Sequence, residues 1–204
     1  MPLLHLLVGP NGAGKSSFVR DVLKPTTGLP FINADEIAAS LWPDDQAAHA
    51  YEAAQIAEAR RRVRIADRES FISETVFSHP SEVQLVSDAV DAGYLVYLHA
   101  VIVPVELTVQ RVLERVRRGG HEVPEQKIRD RYARLWVHLG AAIRIADVTA
   151  VLDNSSARAP FRPCAAFEHG VLIGSPSWPT WTPRALREAQ LDQWSAPSDA
   201  FPSS

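Results

Sequence analysis

The chain has 204 residues, 46% of them hydrophobic and 22% charged, and a net charge of −3 at pH 7; this is the composition of a globular domain long enough to bury a substantial core. That charge gives no overall pull toward nucleic acid or an anionic membrane surface, and no apolar run is long enough to span a bilayer. The single cysteine, Cys164, excludes an internal disulfide and suits a reducing cytoplasm, and the apolar start is too short for a secretory signal.

In chain order, an apolar run from Leu3 to Val8 leads directly into "GPNGAGKSSF". Gly9, Gly14, Lys15 and Ser16 fit the spacing G-x-x-x-x-G-K-[ST], with a strand-like segment before it and an amphipathic one, Ser16 to Leu23, after it. Gly9, Pro10, Asn11, Gly12, Ala13, Gly14, Lys15, Ser16 and Ser17 are therefore expected to wrap the phosphates of ATP. Backbone N–H groups and the helix start supply the cradle, Lys15 neutralises the β/γ charge, and the Ser16 hydroxyl is offered to Mg²⁺.

Further β-type runs follow at Phe31 to Asn33, Ser70 to Ser73, Leu95 to Val103 and Val148 to Leu152. Helical periodicity is predicted between them over Lys15 to Leu23, Asp35 to Leu41, Asp45 to Asp67, Ser81 to Ala92, Val105 to Arg118 and Pro124 to Ile145. This alternation predicts an α/β fold with a five-stranded parallel sheet flanked by helices. Beyond Asp153 prolines crowd the chain, and the expected order is a β-hairpin around Ala165 to Ile173, a loop carrying Trp178 and Trp181, a short helix near Pro183 to Gln193, and a frayed tail. The organisation expected is a kinase-like core over residues 1–156, with a lid around residues 115–131, followed by a C-terminal segment over residues 157–204.

In an open parallel sheet, ligands lie beyond the carboxyl ends of the strands. Two acids fall there, Asp35 closing "PFINAD" and Glu74 closing "SFISET". Either could orient an acceptor hydroxyl, take its proton, or hold Mg²⁺ through water. Asp35 could equally be the N-cap of the following helix, and Glu74 could pair with an arginine. Glu36, one residue further into the helix, should turn away from the crevice. In "QRVLERVRRGGHEVPEQKIRDRYARL", Arg111, Arg115 and Arg118 share a helix face running into Gly119-Gly120. A glycine hinge between arginine-bearing helices is how a lid could bring cations over a migrating phosphoryl group, with Arg115, Arg118 and Arg131 as the candidates. His121 could touch the nucleotide or cap the turn. A second basic stripe, Arg60, Arg64 and Arg68, reads as a solvated face with Glu58 and Asp67 beside it.

Taken together, "GPNGAGKSSF", "NADEIA", "SETVFS", "RVLERVRRGGHEVPEQKIRDRYARL" and "VLDNSS" resemble, in that order, the zeta-toxin-like P-loop kinases, including the branch known as predicted ABC-type ATPases. The chain carries no LSGGQ-type signature, so the transport connotation of that name is set aside. The resemblance covers about the first 156 residues and implies a fold like adenylate and shikimate kinases. It also implies ATP and Mg²⁺ as cofactors, Asp35 as base, and Glu74 with Thr75 at the acceptor. By the same resemblance the acceptor would be a hydroxyl of UDP-N-acetylglucosamine, and a separately encoded antitoxin a possible partner. The alternatives are a kinase for another small metabolite or dinucleotide, and a P-loop ATPase or switch acting on a macromolecular partner through the Arg60, Arg64, Arg68 stripe. An acid at a strand end together with a lid favours the kinase, since a switch would want a water-orienting glutamine.

Overall fold

A computed structural model describes residues 1–117 and 123–188. The expected lid residues Arg118, Gly119, Gly120 and His121, and the tail after Glu188, lie outside the described residues. The centre of the fold is β1 (Leu3–Val8), in which Leu4, Leu6, Leu7 and Val8 are all fully buried. A strand covered on both faces must be apolar at consecutive positions, which is why this run does not alternate. On one side β1 pairs with β3 (Phe71–Thr75), which pairs with β2 (Phe31–Ile32). On the other side it pairs with β4 (Leu95–Ile102), followed by β5 (Val148–Asp153). All these pairings are parallel, giving the order β2-β3-β1-β4-β5. Because the chain leaves β1 in one direction for β3 and in the other for β4, a crevice opens at the carboxyl end of β1.

The expected C-terminal hairpin is present as β6 (Arg162–Glu168) and β7 (Val171–Ile173). It continues the same sheet, β6 pairing antiparallel with β5 to make seven strands. The turn between them uses His169 at φ 47° and Gly170 at φ 77°, the pair of positive φ values that matches the twist of a two-residue hairpin. Cys164, Phe167 and Leu186 join the main core, against which Trp178 and Trp181 pack. The Ser177 N–H donates to the Cys164 carbonyl over 2.7 Å, tying the proline-rich loop to the hairpin.

The helix after the phosphate loop is compound. α1 (Lys15–Phe18) widens into a π turn over Val19–Leu23, then continues as α2 (Lys24–Thr27), which ends at Gly28 with φ 65°. Pro25 has no N–H and its ring would strike the Asp21 carbonyl in a regular α-helix; the wider turn upstream relieves that clash. α3 (Ala34–Leu41) is followed by α4 (Ala50–Ala66), which starts five residues later than the sequence pattern suggested. The intervening stretch is held as a turn in which the Trp42 and His49 rings stack 4.4 Å apart. α5 (Pro80–Asp91), α6 (Val105–Arg117), α7 (Glu125–Ile143) and α8 (Arg184–Glu188) complete the fold. Among the described residues no helix is long and apolar enough to cross a membrane.

Candidate active site

The turn from β1 into α1 is built where side chains would not fit. Gly9 has φ 152°, and a Cβ there would lie 2.3 Å from the Val101 carbonyl oxygen. Gly14, at φ 95°, would place a Cβ 2.4 Å from Asn154 Nδ2. Both contacts are far inside van der Waals range, so the close approach of the loop to β4 and to the end of β5 requires glycine. Two distant residues brace the curl. Asn154 Nδ2 donates to the Ala13 carbonyl over 2.7 Å, and Arg111 Nη1 donates to the Gly12 carbonyl over 3.1 Å. Arg111 Nη2 also reaches the Asn154 carbonyl over 3.0 Å, locking the two supports together.

Lys15 is buried within the loop, its ammonium donating to the carbonyls of Gly9 at 3.0 Å and Pro10 at 3.1 Å. Burial lowers its pKa, while Glu74, Asp35 and Glu82 oppose that shift and Arg115 adds to it. A buried ammonium surrounded by carboxylates and backbone carbonyls is satisfied only in part, and phosphate oxygens would complete its shell. Ser16 Oγ donates to Glu74 Oε2 over 2.8 Å. The sheet register sets this contact: Glu74 is level with Leu7 and Thr75 with Val8, so β3 delivers its acid at the end of β1. Glu74 is therefore held by the loop serine, and among the described residues no ion pair joins it to an arginine. Thr75 Oγ1 accepts the Phe77 N–H over 3.1 Å, shaping the turn out of β3.

Asp35 is exposed in the second position of α3. The N-cap is Asn33, a buried residue whose side-chain oxygen accepts from the Asp35 and Glu36 N–H groups over 2.6 and 3.1 Å. The cap thus belongs to the asparagine and leaves the Asp35 carboxylate free of capping duty.

A cleft of about 650 Å³ collects these groups: Lys15, Ser16, Asp35, Glu74 and Thr75 line it, as do Arg115 and Arg131 from α6 and α7. Glu36 is not among its lining residues. The cleft has further walls that the sequence reading did not single out: Lys127, Arg61 from α4, and His79 and Glu82 at the start of α5. In the α5 capping box the His79 side chain accepts the Ser81 N–H, while the Glu82 carboxylate accepts the N–H of His79 at 2.9 Å and of Phe77 at 3.3 Å. "SHPSE" carried this signal as a cap three residues before a glutamate, with proline at the first helical position. Asn154 was legible only as part of the "VLDNSS" resemblance, because nothing local to it indicates contact with a loop 141 residues earlier.

The fold and this loop define a P-loop kinase-type ATP-binding domain. Within that class the chain belongs to the AAA_33 family, an AAA domain, which matches residues 4–138. It is 30% identical over 128 residues to an uncharacterized protein of Haemophilus influenzae, an overlap that takes in 61% of this chain and 88% of that one. Among solved structures it is similar to AvrRxo1-ORF1:-ORF2 with ATP, with a TM-score of 0.65 and 16% identity, over 85% of this chain and 60% of the other. It also resembles the PezAT chromosomal toxin-antitoxin system of Streptococcus pneumoniae, with a TM-score of 0.53 and 17% identity, over 75% of this chain and 67% of that one. The chain spans about 60% of the length of the AvrRxo1 chain it matches, and at such identities the likeness is one of fold.

Proposed function

We propose that this protein is an ATP-dependent kinase that phosphorylates a hydroxyl of a small molecule. The observation that carries this reading is one cleft lined together by Asp35 from the first turn of α3, by the phosphate-loop Lys15 and Ser16, and by Arg115 and Arg131. In the proposed reaction the acceptor oxygen forms a bond to the γ-phosphorus as the bond to the β,γ-bridging oxygen breaks. The acceptor proton passes to the Asp35 carboxylate, and ADP departs with the bridging oxygen. Lys15 and the arginines hold the phosphoryl oxygens while charge redistributes, a role shared with Arg118. Ser16 Oγ and Glu74, a hydroxyl and a carboxylate 2.8 Å apart, are the hard oxygen donors that Mg²⁺ takes. When bound there, the ion would neutralise phosphate charge, and Glu74 with Thr75 would border the acceptor.

For the acceptor we propose a nucleotide-linked sugar, UDP-N-acetylglucosamine first, a choice supported by the motif resemblance and by the fold likeness to the PezAT system. The toxin-antitoxin pairing of that system also supports a separately encoded antitoxin as a partner. A cytoplasmic setting, with ATP at hand and Cys164 reduced, accompanies this reading. The test is a transfer assay with ATP·Mg²⁺ and a panel of UDP-sugars, NAD and free sugars, the products being examined for an added phosphate. Transfer to NAD or a free metabolite would replace the acceptor and keep the kinase. ATP hydrolysis without any phosphorylated acceptor, unchanged in Asp35→Asn, would overturn both.

A further inference from the structure

The arginine-rich face of α4 is not uniform. Arg62 pairs with Glu58 and Arg64 with Glu69 at the surface. Arg61 instead turns inward to line the cleft, on the same helical face as Ala50, Ala54 and Ala57 at spacings of four, three and four residues. Those small side chains line the same cleft. The Arg61 Nε is enclosed and has no hydrogen-bond partner, and among the described residues Arg61 makes no ion pair. Burial lowers its pKa, while the charges of Glu82 and Glu58 act in the opposite sense. Glu82 has both carboxylate oxygens occupied by the N–H groups of His79 and Phe77, and burial pushes its own pKa up. It attracts the guanidinium without satisfying its donors.

A half-buried guanidinium lining a ligand cleft with its Nε–H enclosed and unpaired costs stability unless something fills it. An oxyanion is the complement of its planar fork of donors. The position of Arg61 indicates which ligand brings the anion. α4, which carries Arg61, packs against α3, the helix that carries Asp35, so Arg61 stands on the Asp35 side of the cleft. The charges acting on Arg61 are those of Glu82 at the start of α5 and of Glu58 and Arg62 on α4 itself. The nucleotide phosphates therefore belong to Lys15, and Arg61 serves the other occupant.

Resting on the kinase reading above, we propose that Arg61 is a specificity-determining residue that anchors the acceptor through a phosphate or diphosphate group, so that the substrate is a phosphate-bearing alcohol and not a neutral sugar. This places the acceptor's anion on the α4 wall and its reacting hydroxyl toward Asp35, two anchor points that orient the molecule across the cleft.

The probe is inorganic pyrophosphate, titrated calorimetrically into protein saturated with Mg²⁺ and a non-hydrolysable ATP analogue, so that the loop and the γ position are already filled. The expected result is one pyrophosphate site in the wild type, weakened about tenfold or more in Arg61→Gln and less in Arg61→Lys, with affinity for the ATP analogue within about twofold in all three; a tenfold loss corresponds to about 1.4 kcal/mol. Arg61→Lys keeps the charge and supplies a folded comparison, its folding checked by its thermal transition. Absence of the site in the wild type, or equal binding by Arg61→Gln, overturns the proposal. So does parallel loss of pyrophosphate and nucleotide, which would mark a structural role. Because this readout is binding, it can fail while the transfer assay succeeds, or succeed while transfer fails, and the two readings are judged separately.

Discussion

The phosphate loop and the α4–α5 wall enclose the same cleft and are specified in opposite ways. The loop is a run of consecutive residues, Gly9 to Ser16, whose backbone torsions are set by glycines and whose functional atoms are largely main-chain. The wall draws Arg61, His79 and Glu82 from two helices separated by a strand. Its chemistry lies in side chains whose inward direction depends on how α4 packs on α3. The comparison teaches that a site built from backbone can be read from a contiguous motif, whereas a site built from side chains on separate elements cannot. It also divides the labour: the loop side should govern nucleotide binding and phosphoryl transfer, and the wall the choice and placement of the acceptor.

The largest effect should come from the loop. Lys15→Ala is expected to retain its fold and lose transfer by about 10³-fold, the upper range for removal of one electrostatic clamp. A folded variant retaining a tenth or more of the wild-type rate would break the assignment of Lys15 to the transferring phosphates. The check is single-turnover transfer alongside a thermal melt.

A pH experiment tests how rigidly the loop is backed. Behind α1, Phe18 packs on His99, with ring centroids 5.6 Å apart, and His5 Nδ1 lies 3.0 Å from His99 Nε2. Burial, with a smaller contribution from His5, lowers the His99 pKa to about 4; burial also lowers that of His5. With a folded value of about 4 and an ordinary value of 6.5, the unfolded chain binds more protons between those two pH values. Stability should therefore be complete above pH 6.5 and fall as pH drops toward 4, by about 3 kcal/mol for this group. Denaturant midpoints of the wild type and His99→Gln across that interval should converge as pH falls. A slope unaltered by the substitution would remove His99 as its source.

Asp35 sits between the two regions and sharpens the division. Asp35→Asn should bind ATP as the wild type does, while acceptor phosphorylation falls by about two orders of magnitude, the scale of general-base loss. Nucleotide affinity falling in step with transfer would move Asp35 to the nucleotide side. The smallest effect should be that of Arg115→Ala, about tenfold on turnover with little change in ATP affinity, since a cation near the migrating group acts mostly as its charge shifts. Weaker ATP binding at unchanged turnover would make Arg115 a ground-state contact.

Much of this fold is legible in the sequence. The five parallel strands and the helices between them follow from apolar runs alternating with helical periodicity, and five of the six predicted helices begin within about two residues of their observed starts. The exception is instructive. The pattern from Asp45 onward looked helical, but stacking of Trp42 on His49 holds a turn there, and α4 waits until Ala50. Asp35 invited the reading of an N-cap because it precedes a helical run; Asn33, buried and two residues earlier, takes that role because its oxygen reaches two orphan N–H groups. In the arginine-rich stretch of α4 and the turn after it, spacing singles out Arg60, Arg64 and Arg68 and not Arg61, since composition records how many cations a helix carries and not which one packing turns inward.

By itself the sequence determined the phosphate loop, the strand-end acids and the α/β class, because each depends on local torsion, residue type and periodicity within one short segment. The tertiary structure alone decided that Asn154 and Arg111 brace that loop from the far end of β5 and from α6, that Glu74 meets Ser16, and that the hairpin extends the sheet instead of standing apart. It alone decided, too, that Arg61 faces the cleft with an unmet donor. These are contacts between segments tens of residues apart, fixed by strand register and helix packing, and no local pattern encodes which side chains such packing will bring together.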